Sequence, residues 1–323
     1  MSWLSDEAVD RLCAVANWPE FESDRYTVTQ EIGRGGMGCV YAAIDEALGR
    51  EVALKVTNTI ASAAFERRLE AEARVLARLE HPGIVPVHDV GRLADGRLFY
   101  VMKRVHGQTL REHLRLPCDL GERLRIFERI CEAVAFAHAH GILHRDLKPD
   151  NVMVGSFGEV MVLDWGVAKT LSPVQRDDVA TIEPPSLETP AHLARQRTHQ
   201  GTVVGTHGFM SPEQARGETD SLDQRADVYA LGAMLLDLLN GPVPPPLRSV
   251  CARAMAASPV DRYPSASALG DDVARYRAGQ AVQAHRESLL ERATRVATIY
   301  RTPILLVLAY MIMRAIVAFT AGF

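Results

Sequence analysis

The 323-residue chain lacks the cysteine pattern of a disulfide-stapled protein or a cysteine-based zinc module. Its five cysteines are odd in number, scattered along the chain, and include no C-x-x-C pair. This usage argues against a disulfide framework and a zinc knuckle, and it fits a reducing compartment. Hydrophobic residues make up 47% of the sequence, so we expect a sizeable buried core to supply the stability instead.

The chain also lacks a strong charge of either sign. Lys and Arg number 36 against 40 Asp and Glu, giving a formal net charge of -4. Without a strong basic field, we expect no nucleic-acid partner. The first ten residues, MSWLSDEAVD, are acidic and lack a basic segment followed by an apolar run, so we expect no secretory signal.

The hydrophobic pattern changes along the chain from strand-like to helix-like. YTVTQEI, CVYAAI, EVALKV, IVPVHDVGRL and RLFYVMK read as strands, with one helical pattern at roughly 61–79. From about Thr109 helical patterns dominate, as in GERLRIFERICEAVAFAHAHG and RADVYALGAMLLDLLNG. This order predicts an α+β protein with a β-rich half, a helical half and a cleft between them.

A glycine-rich turn follows the first strand. GRGGMG places Gly33, Gly35 and Gly38 in a G-x-G-x-x-G spacing, which lets backbone N–H groups approach phosphate oxygens. Alone, the spacing also fits an ordinary glycine-rich hairpin, and dinucleotide binding is disfavoured because a strand follows. Lys55, at the end of the third strand, needs a counter-ion if it is partly buried. Glu72 is the candidate, although several other acids share its helix.

Three later motifs occur in a fixed order. HRDLKPDN, residues 144–151, fits the pattern H-R-D-L-x-x-x-N. VLDWGVAK supplies Asp164-Trp165-Gly166 in the place of D-F-G, and GFMSPEQARGE supplies Ser211-Pro212-Glu213 in the place of A-P-E. Over roughly Tyr26 to Tyr276, the sequence closely resembles the eukaryotic-like serine/threonine protein kinases of bacteria.

The resemblance implies a domain organisation. It predicts an α+β, two-lobed protein-kinase-like fold, with a small β-rich N-lobe at about 26–105 and a larger α-helical C-lobe at about 106–276. Residues 1–25 are predicted to be a helical extension, and residues 277–302 a juxtamembrane helix.

The resemblance also implies the chemistry. Asp146 would be the catalytic base, and Lys148 would neutralise the γ-phosphate of ATP. Asn151 and Asp164 would hold Mg²⁺, with Mn²⁺ as an alternative ion. Thr206 would contact the base and Lys148, as in kinases specific for serine and threonine.

Further positions carry over residue by residue. A Lys55–Glu72 ion pair would hold the ammonium against the phosphates. The residues implied in ATP binding are Ile32, Gly33, Gly35, Gly36, Gly38, Val40, Ala53, Lys55, Met102, Lys103, Val105 and Met153. Structural support would come from Asp227, which braces the catalytic loop, and from a pair between Glu213 and Arg262.

Arg145, next to the base, indicates control by phosphorylation of the loop that follows. Thr198 and Thr202 are the candidate sites, and a homodimer would allow one copy to phosphorylate the other. The predicted partners are ATP and protein substrates that carry Ser or Thr. The alternative is a membrane-tethered pseudokinase scaffold, which disagrees with the presence of Lys55, Glu72, Asp146 and the two metal ligands.

The C-terminal segment PILLVLAYMIMRAIVAFTAGF, residues 303–323, carries one charge, Arg314, over a length near the ~20 residues that span a bilayer. Several arginines precede the segment, which by the positive-inside rule would keep the kinase cytoplasmic. We therefore predict a single transmembrane anchor. A buried or dimer-forming helix and a piece of a longer receptor-like protein are the alternatives.

Overall fold

The computed structural model describes residues 18–21, 24–35, 38–60, 77, 79–165, 208–218, 222–299 and 301–321. Its contacts divide the chain into two compact units. The first unit comprises the residues up to Leu110 together with 140–146 and 150–208, and the second comprises 111–139, 147–149 and the residues from Phe209 onward.

The first unit contains a five-stranded antiparallel sheet in the order β1-β2-β3-β5-β4. Its strands are β1 (Tyr26–Gly35), β2 (Gly38–Asp45), β3 (Arg50–Ile60), β4 (Val87–Arg92) and β5 (Arg97–Lys103).

Alternation along the strands gives this sheet two different faces. One face buries aromatic and β-branched residues in a core that includes Tyr41, Leu54 and Phe99. Successive side chains of a strand point to opposite faces, so Ala53 and Lys55 lie on the other face of β3. Tyr100 lies directly opposite Lys55 in the register of β3 and β5. The pairing thus brings the predicted ATP-binding residues of neighbouring strands to one face.

Residues before β1 complete the core on the first face. The ring of Trp18 packs edge-on against Tyr41 with a centroid distance of 5.6 Å, and Phe21 packs against Phe99 at 4.9 Å. Arg97 Nη2 donates to Trp18 O, which ties this segment to β5. Residues 18–21 contain no helix, and residues 1–17 of the predicted helical extension lie outside the described residues.

A small three-stranded sheet accompanies the larger one in the first unit. Its strands are β6 (Gly107–Thr109), β7 (Val152–Gly155) and β8 (Val160–Val162), in that order and antiparallel. A bridge between Ile84 and Val162 connects β8 to the segment before β4. This connection fixes the chain immediately before Asp164.

The second unit is helical in its described part. Its helices are α1 (Leu110–His113), α2 (Leu120–Ala139), α3 (Pro212–Ala215), α4 (Gln224–Leu239), α5 (Pro245–Ala254), α6 (Ala266–Arg277), α7 (Leu289–Ile299) and α8 (Arg301–Ala321). Helix α2 buries Phe127, Ile130 and Val134, whose spacing of three and four residues forms the stripe that packs against α4 and α6.

The predicted helices over 121–141 and 225–241 are observed as α2 and α4. Both end just before a glycine with positive φ, Gly141 at 75° and Gly241 at 140°, because this backbone conformation stops a helix. Most of the predicted helix over 61–79 lies outside the described residues.

The described helices include none that is both long enough and apolar enough to cross a membrane.

The close contact of α4 with α5 depends on Gly232. A Cβ at this position would lie 2.6 Å from Ala254 Cβ and 3.0 Å from Met255 Cγ. We expect Gly232→Ala to lower the free energy of unfolding by about 1–3 kcal/mol, because overpacking outweighs the gain in helix propensity of about 1 kcal/mol. Urea unfolding followed by circular dichroism measures this change.

Gly270→Ala is the matched comparison, since Gly270 also lies in a helix but its added Cβ would meet only the side chain of Cys131, at 3.0 Å. We expect a smaller loss there. A Gly232→Ala protein as stable as wild type would contradict the packing described between α4 and α5.

Candidate active site

The first unit holds an ion pair between Lys55 and Asp164. Lys55 Nζ lies 2.7 Å from Asp164 Oδ1, and the lysine side chain is only 14% exposed. The hydroxyl of Tyr100 donates to the same carboxylate oxygen at 3.5 Å, and the ammonium lies 5.8 Å from the centre of the Tyr100 ring. Burial, followed by the charge of Asp164, raises the pKa of Tyr100 well above its ordinary value, so the phenol stays protonated as a donor. The three side chains form one polar cluster beside the paired strands β3 and β5.

The backbone at two motif positions is strained. Asp164 has φ 54° and Arg145 has φ 65°, both in the left-handed region that non-glycine residues rarely adopt. Such conformations cost about 1–3 kcal/mol each and are found at sites where a side chain must be aimed. Arg145, which precedes Asp146, and Asp164 of the second motif therefore both carry this strain.

His144 holds the two motifs together. The His144 side chain is fully buried, its Nε2 lies 2.8 Å from Leu163 O, and its Nδ1 lies 3.3 Å from Asp146 N. Because the Asp146 N–H donates to Nδ1, the proton of the neutral ring is on Nε2, which donates to Leu163 O. The ring also packs on Trp165 with a centroid distance of 4.9 Å. These contacts fix the residues that flank Asp164 and the backbone of Asp146.

Asn151 orients the predicted base. Its Nδ2 donates to Asp146 O at 2.8 Å and to Asp146 Oδ2 at 3.3 Å. Asn151 O accepts from Leu163 N at 2.8 Å, which places the catalytic loop beside the strand that leads to Asp164. With Nδ2 donating to Asp146, the amide oxygen is the atom that Asn151 offers to a cation. Amide and carboxylate oxygens match the preference of Mg²⁺, so the residues present fit the metal that the sequence implies.

An apolar cluster adjoins this polar group. It consists of buried Ala53, Val85, Met102 and Met161, with Val40, Tyr100, Val105 and Leu163 packed against it.

Four of these eight residues, Val40, Ala53, Met102 and Val105, are predicted ATP-binding positions. Met153, another predicted position outside the cluster, is the register partner of Met161. The N–H of Lys103 donates to Pro86 O at 3.1 Å. This N–H is therefore already hydrogen-bonded and is not available as a donor to an adenine ring. The cluster offers the apolar surface that an adenine ring requires.

The described glycines of the glycine-rich segment lie in the paired strands β1 and β2. Gly33 lies opposite Val40 in the register, and Gly35 lies opposite Gly38. A Cβ on Gly38 would overlap Val56 O, so glycine is required there by close strand contact. The Ile32 side chain is 44% exposed.

In the second unit, Glu213 and Arg262 form the predicted buried pair. Arg262 Nη1 donates to Glu213 Oε1 at 2.6 Å and Nη2 donates to Oε2 at 2.8 Å. Arg262 also donates to Ala256 O, Arg225 O and Ala257 O, which satisfies its three remaining donors. Burial, the largest single influence, would raise the pKa of Glu213. The hydrogen bonds from Arg262, the backbone and Ser211, together with the charge of Arg262, outweigh it and lower the pKa.

Asp227 lies on α4 and is 2% exposed. Its Oδ2 lies 2.8 Å from His138 Nε2 on α2, and both side chains belong to the second unit. This contact links the two helices through a buried polar pair.

The remaining predicted residues fall into two groups, one described by the structure and one outside the described residues. Lys148 belongs to the second unit, whereas Asp146 belongs to the first. Glu72, Gly36, Thr198, Thr202 and Thr206 lie outside the described residues.

Sequence reasoning missed two residues of these clusters. Tyr100 precedes Met102 by two positions on β5, so strand alternation alone would have placed both on one face. His138, the partner of Asp227, belongs to none of the motifs in the sequence. No local signal could have found that pairing, because the partners are 89 positions apart.

The fold and the site together define a protein kinase. The protein kinase domain family model matches residues 26–257, so the chain belongs to this family. The predicted two-lobed α+β kinase fold is confirmed, and family membership implies general use of ATP and a divalent cation.

Particular relatives are bacterial. The chain is 36% identical over 298 residues to the serine/threonine-protein kinase PknD of Chlamydia caviae, covering 79% of this chain and 31% of that protein. It is 35% identical over 302 residues to PknB of Mycolicibacterium smegmatis, covering 82% of this chain and 45% of PknB. The chain thus spans about a third to a half of the length of these relatives. The predicted resemblance to bacterial serine/threonine kinases is confirmed.

A solved structure agrees with this assignment. The kinase domain of Mycobacterium tuberculosis PknI is similar to this chain with a TM-score of 0.58 and 28% identity, covering 80% of this chain and 99% of the PknI domain.

The Glu213–Arg262 pair predicts a pH dependence of stability. A carboxyl whose folded pKa is lowered stabilises the fold above its ordinary pKa of about 4.3, and this contribution is lost as the pH falls through the folded pKa. We expect Glu213→Gln to lower the free energy of unfolding by about 3–5 kcal/mol at pH 7, because Arg262 is left buried without its counter-charge. The difference from wild type should shrink toward pH 3 in urea unfolding.

The matched control is Glu218→Gln, since Glu218 pairs with Arg216 at the surface, where both side chains are about half exposed. We expect this variant to unfold like wild type. Equal stability of Glu213→Gln and wild type at pH 7 would contradict the importance of the buried pair.

Proposed function

We propose that this chain is a serine/threonine protein kinase that transfers the γ-phosphoryl group of ATP to hydroxyls of Ser and Thr in proteins. The observation that carries the proposal is the arrangement in the first unit, where Lys55 contacts Asp164 and Asn151 contacts Asp146. A fixed cation, an oriented carboxylate and oxygen ligands for a divalent ion are the groups that phosphoryl transfer requires.

In the proposed reaction, the substrate hydroxyl oxygen forms a bond to the γ-phosphorus while the bond from that phosphorus to the β–γ bridging oxygen breaks. The Asp146 carboxylate, oriented by Asn151, accepts the hydroxyl proton, and ADP leaves. Lys55 would exchange part of its contact with Asp164 for contact with phosphate oxygens. Asn151 and Asp164 would hold Mg²⁺, or alternatively Mn²⁺, which supplies positive charge beside the phosphates.

The choice of Ser and Thr as acceptors is proposed on the motif residues Lys148 and Thr206. Autophosphorylation at Thr198 or Thr202, by one copy of a homodimer on another, is part of the same proposal. It is supported by Arg145, a cation beside the base that could order a phosphorylated loop.

The pseudokinase alternative is not favoured. A scaffold tends to lose one of the groups on which the chemistry depends, whereas Lys55, Asp146, Asn151 and Asp164 are all present with the contacts described above.

Asp146→Asn tests the proposed base. The substitution keeps the size of the side chain but removes the proton acceptor, so we expect transfer from labelled ATP to a generic basic protein to fall by about 10²–10⁴-fold. Nucleotide binding, measured by calorimetry, should persist. Asp271→Asn is the control, because Asp271 is an exposed residue of α6 outside the site. Equal transfer by wild type and Asp146→Asn would rule out this role for Asp146.

We further propose that the C-terminal segment, residues 303–323, anchors a cytoplasmic kinase domain at a membrane. Support comes from α8, where Leu305, Leu306, Val307 and Leu308 are each more than half exposed. Consecutive helix positions point in different directions, so these side chains give the helix an apolar surface on several sides. Such a surface is found where lipid or another protein covers the helix.

Vesicle flotation of the full chain tests the anchor. We expect wild type to float with lipid vesicles and a Leu308→Arg/Ile312→Arg double variant to stay unbound, since charged side chains on the apolar surface of α8 oppose its burial in lipid. Leu289→Arg is the control, because Leu289 is an exposed leucine of α7. Wild-type protein that does not float contradicts the anchor, and a dimer lost only in the double variant would assign α8 to self-association.

A further inference from the structure

A cluster of metal-ligating side chains lies in the second unit and shares no residue with the proposed nucleotide site. His113 ends α1, Cys118 lies in the connection that follows, and Glu122 lies in the first turn of α2. One ligand atom from each residue lies within 4.8 Å of the other two. His113 Nε2 is 3.9 Å from Glu122 Oε1.

The separations between these ligand atoms are close to those found between the ligand atoms of a bound metal ion. Tetrahedral zinc with bonds of 2.0–2.3 Å holds its ligand atoms about 3.3–3.8 Å apart. The cluster is therefore open by at most about 1.5 Å at each pair, a gap that side-chain rotation can close. The three residues also lie within a single local segment, so no distant part of the chain has to move.

The backbone of this segment is already held in place. Asp119 Oδ1 accepts from Glu122 N at 2.8 Å, which caps α2 at its start. Arg123 Nε donates to Cys118 O at 3.1 Å, and Arg123 Nη1 donates to Leu238 O at 2.9 Å. Arg123 therefore links the segment between α1 and α2 to the C-terminal end of α4. An ion would bind to a preorganised loop and would avoid most of the entropy cost of ordering it.

We propose that His113, Cys118 and Glu122 form a Zn²⁺ site with three protein ligands. An imidazole nitrogen, a thiolate and a carboxylate are the ligand types that zinc accepts, whereas Mg²⁺ and Ca²⁺ prefer oxygen atoms alone. The site therefore discriminates against the Mg²⁺ that accompanies ATP. The Glu122 side chain is 46% exposed, which leaves the fourth position accessible to water.

Two charges bear on binding. Zinc takes Cys118 as a thiolate, so binding releases a proton and becomes weaker as the pH falls. Arg123 favours the thiolate but also repels a cation. Its guanidinium donates to two carbonyl oxygens, which partly offset that repulsion.

The test is metal binding by the full chain after removal of metal with a chelator. Zinc is titrated against a chromophoric competitor with millimolar Mg²⁺ present, and Co²⁺ is used as a spectroscopic substitute. We expect one zinc ion per chain and a thiolate-to-cobalt charge-transfer band. His113→Gln, Cys118→Ser and Glu122→Gln should each weaken zinc binding by about 10-fold or more, since even loss of an outer-shell partner costs 10–100-fold.

His106→Gln is the matched control. His106 Nε2 lies 3.0 Å from Glu51 Oε2, a closer histidine–glutamate pair than the proposed one, but neither residue belongs to the cluster of three. This variant should bind zinc like wild type.

The thermal unfolding temperature measured in the presence of chelator should be the same for wild type and all variants. This result would show that a variant loses zinc binding without losing its fold. The proposal is overturned if wild type binds zinc no more tightly than Cys118→Ser, or if the cobalt band survives in Cys118→Ser. The latter result would assign the ion to another thiol.

Discussion

The ion pair of Lys55 with Asp164 joins β3 to the segment after β8. The other contacts of the candidate site in the first unit surround this pair. Pairing of β3 with β5 places Tyr100 beside the lysine, and the apolar cluster occupies the same face of the sheet. On the other side, His144 binds the carbonyl of Leu163 and packs on Trp165, so the strained backbone of Asp164 is held from both neighbours. A buried ammonium without this carboxylate would be costly.

The second unit depends on separate buried polar pairs. Glu213 with Arg262 and Asp227 with His138 each tie a motif residue to a distant helix or turn. Removing one member of such a pair leaves an unsatisfied group in the interior, which costs more than the pair itself contributes. The two units are thus stabilised by different contacts.

Much of this arrangement could be predicted from the sequence, because the motifs are local and ordered. HRDLKPDN and Asp164-Trp165-Gly166 identify the site, and strand alternation around VALK places Ala53 and Lys55 on one face. The small sheet was missed because its strands are only three or four residues long. The Asp227–His138 pair joins residues far apart in sequence. The number and spacing of the cysteines argue only against cysteine-rich zinc modules. The His113–Cys118–Glu122 cluster depends on where α1 ends and where α2 begins, which the sequence pattern does not define.

The most direct test of the account is the chemical identity of the phosphorylated residue. The full chain is incubated with γ-labelled ATP, Mg²⁺ and a generic basic protein, and the labelled products are hydrolysed and separated as phosphoamino acids. We expect label on phosphoserine and phosphothreonine, with none on phosphotyrosine. Nucleotide binding without any transfer, or label confined to phosphotyrosine, would rule out the proposed serine/threonine kinase activity.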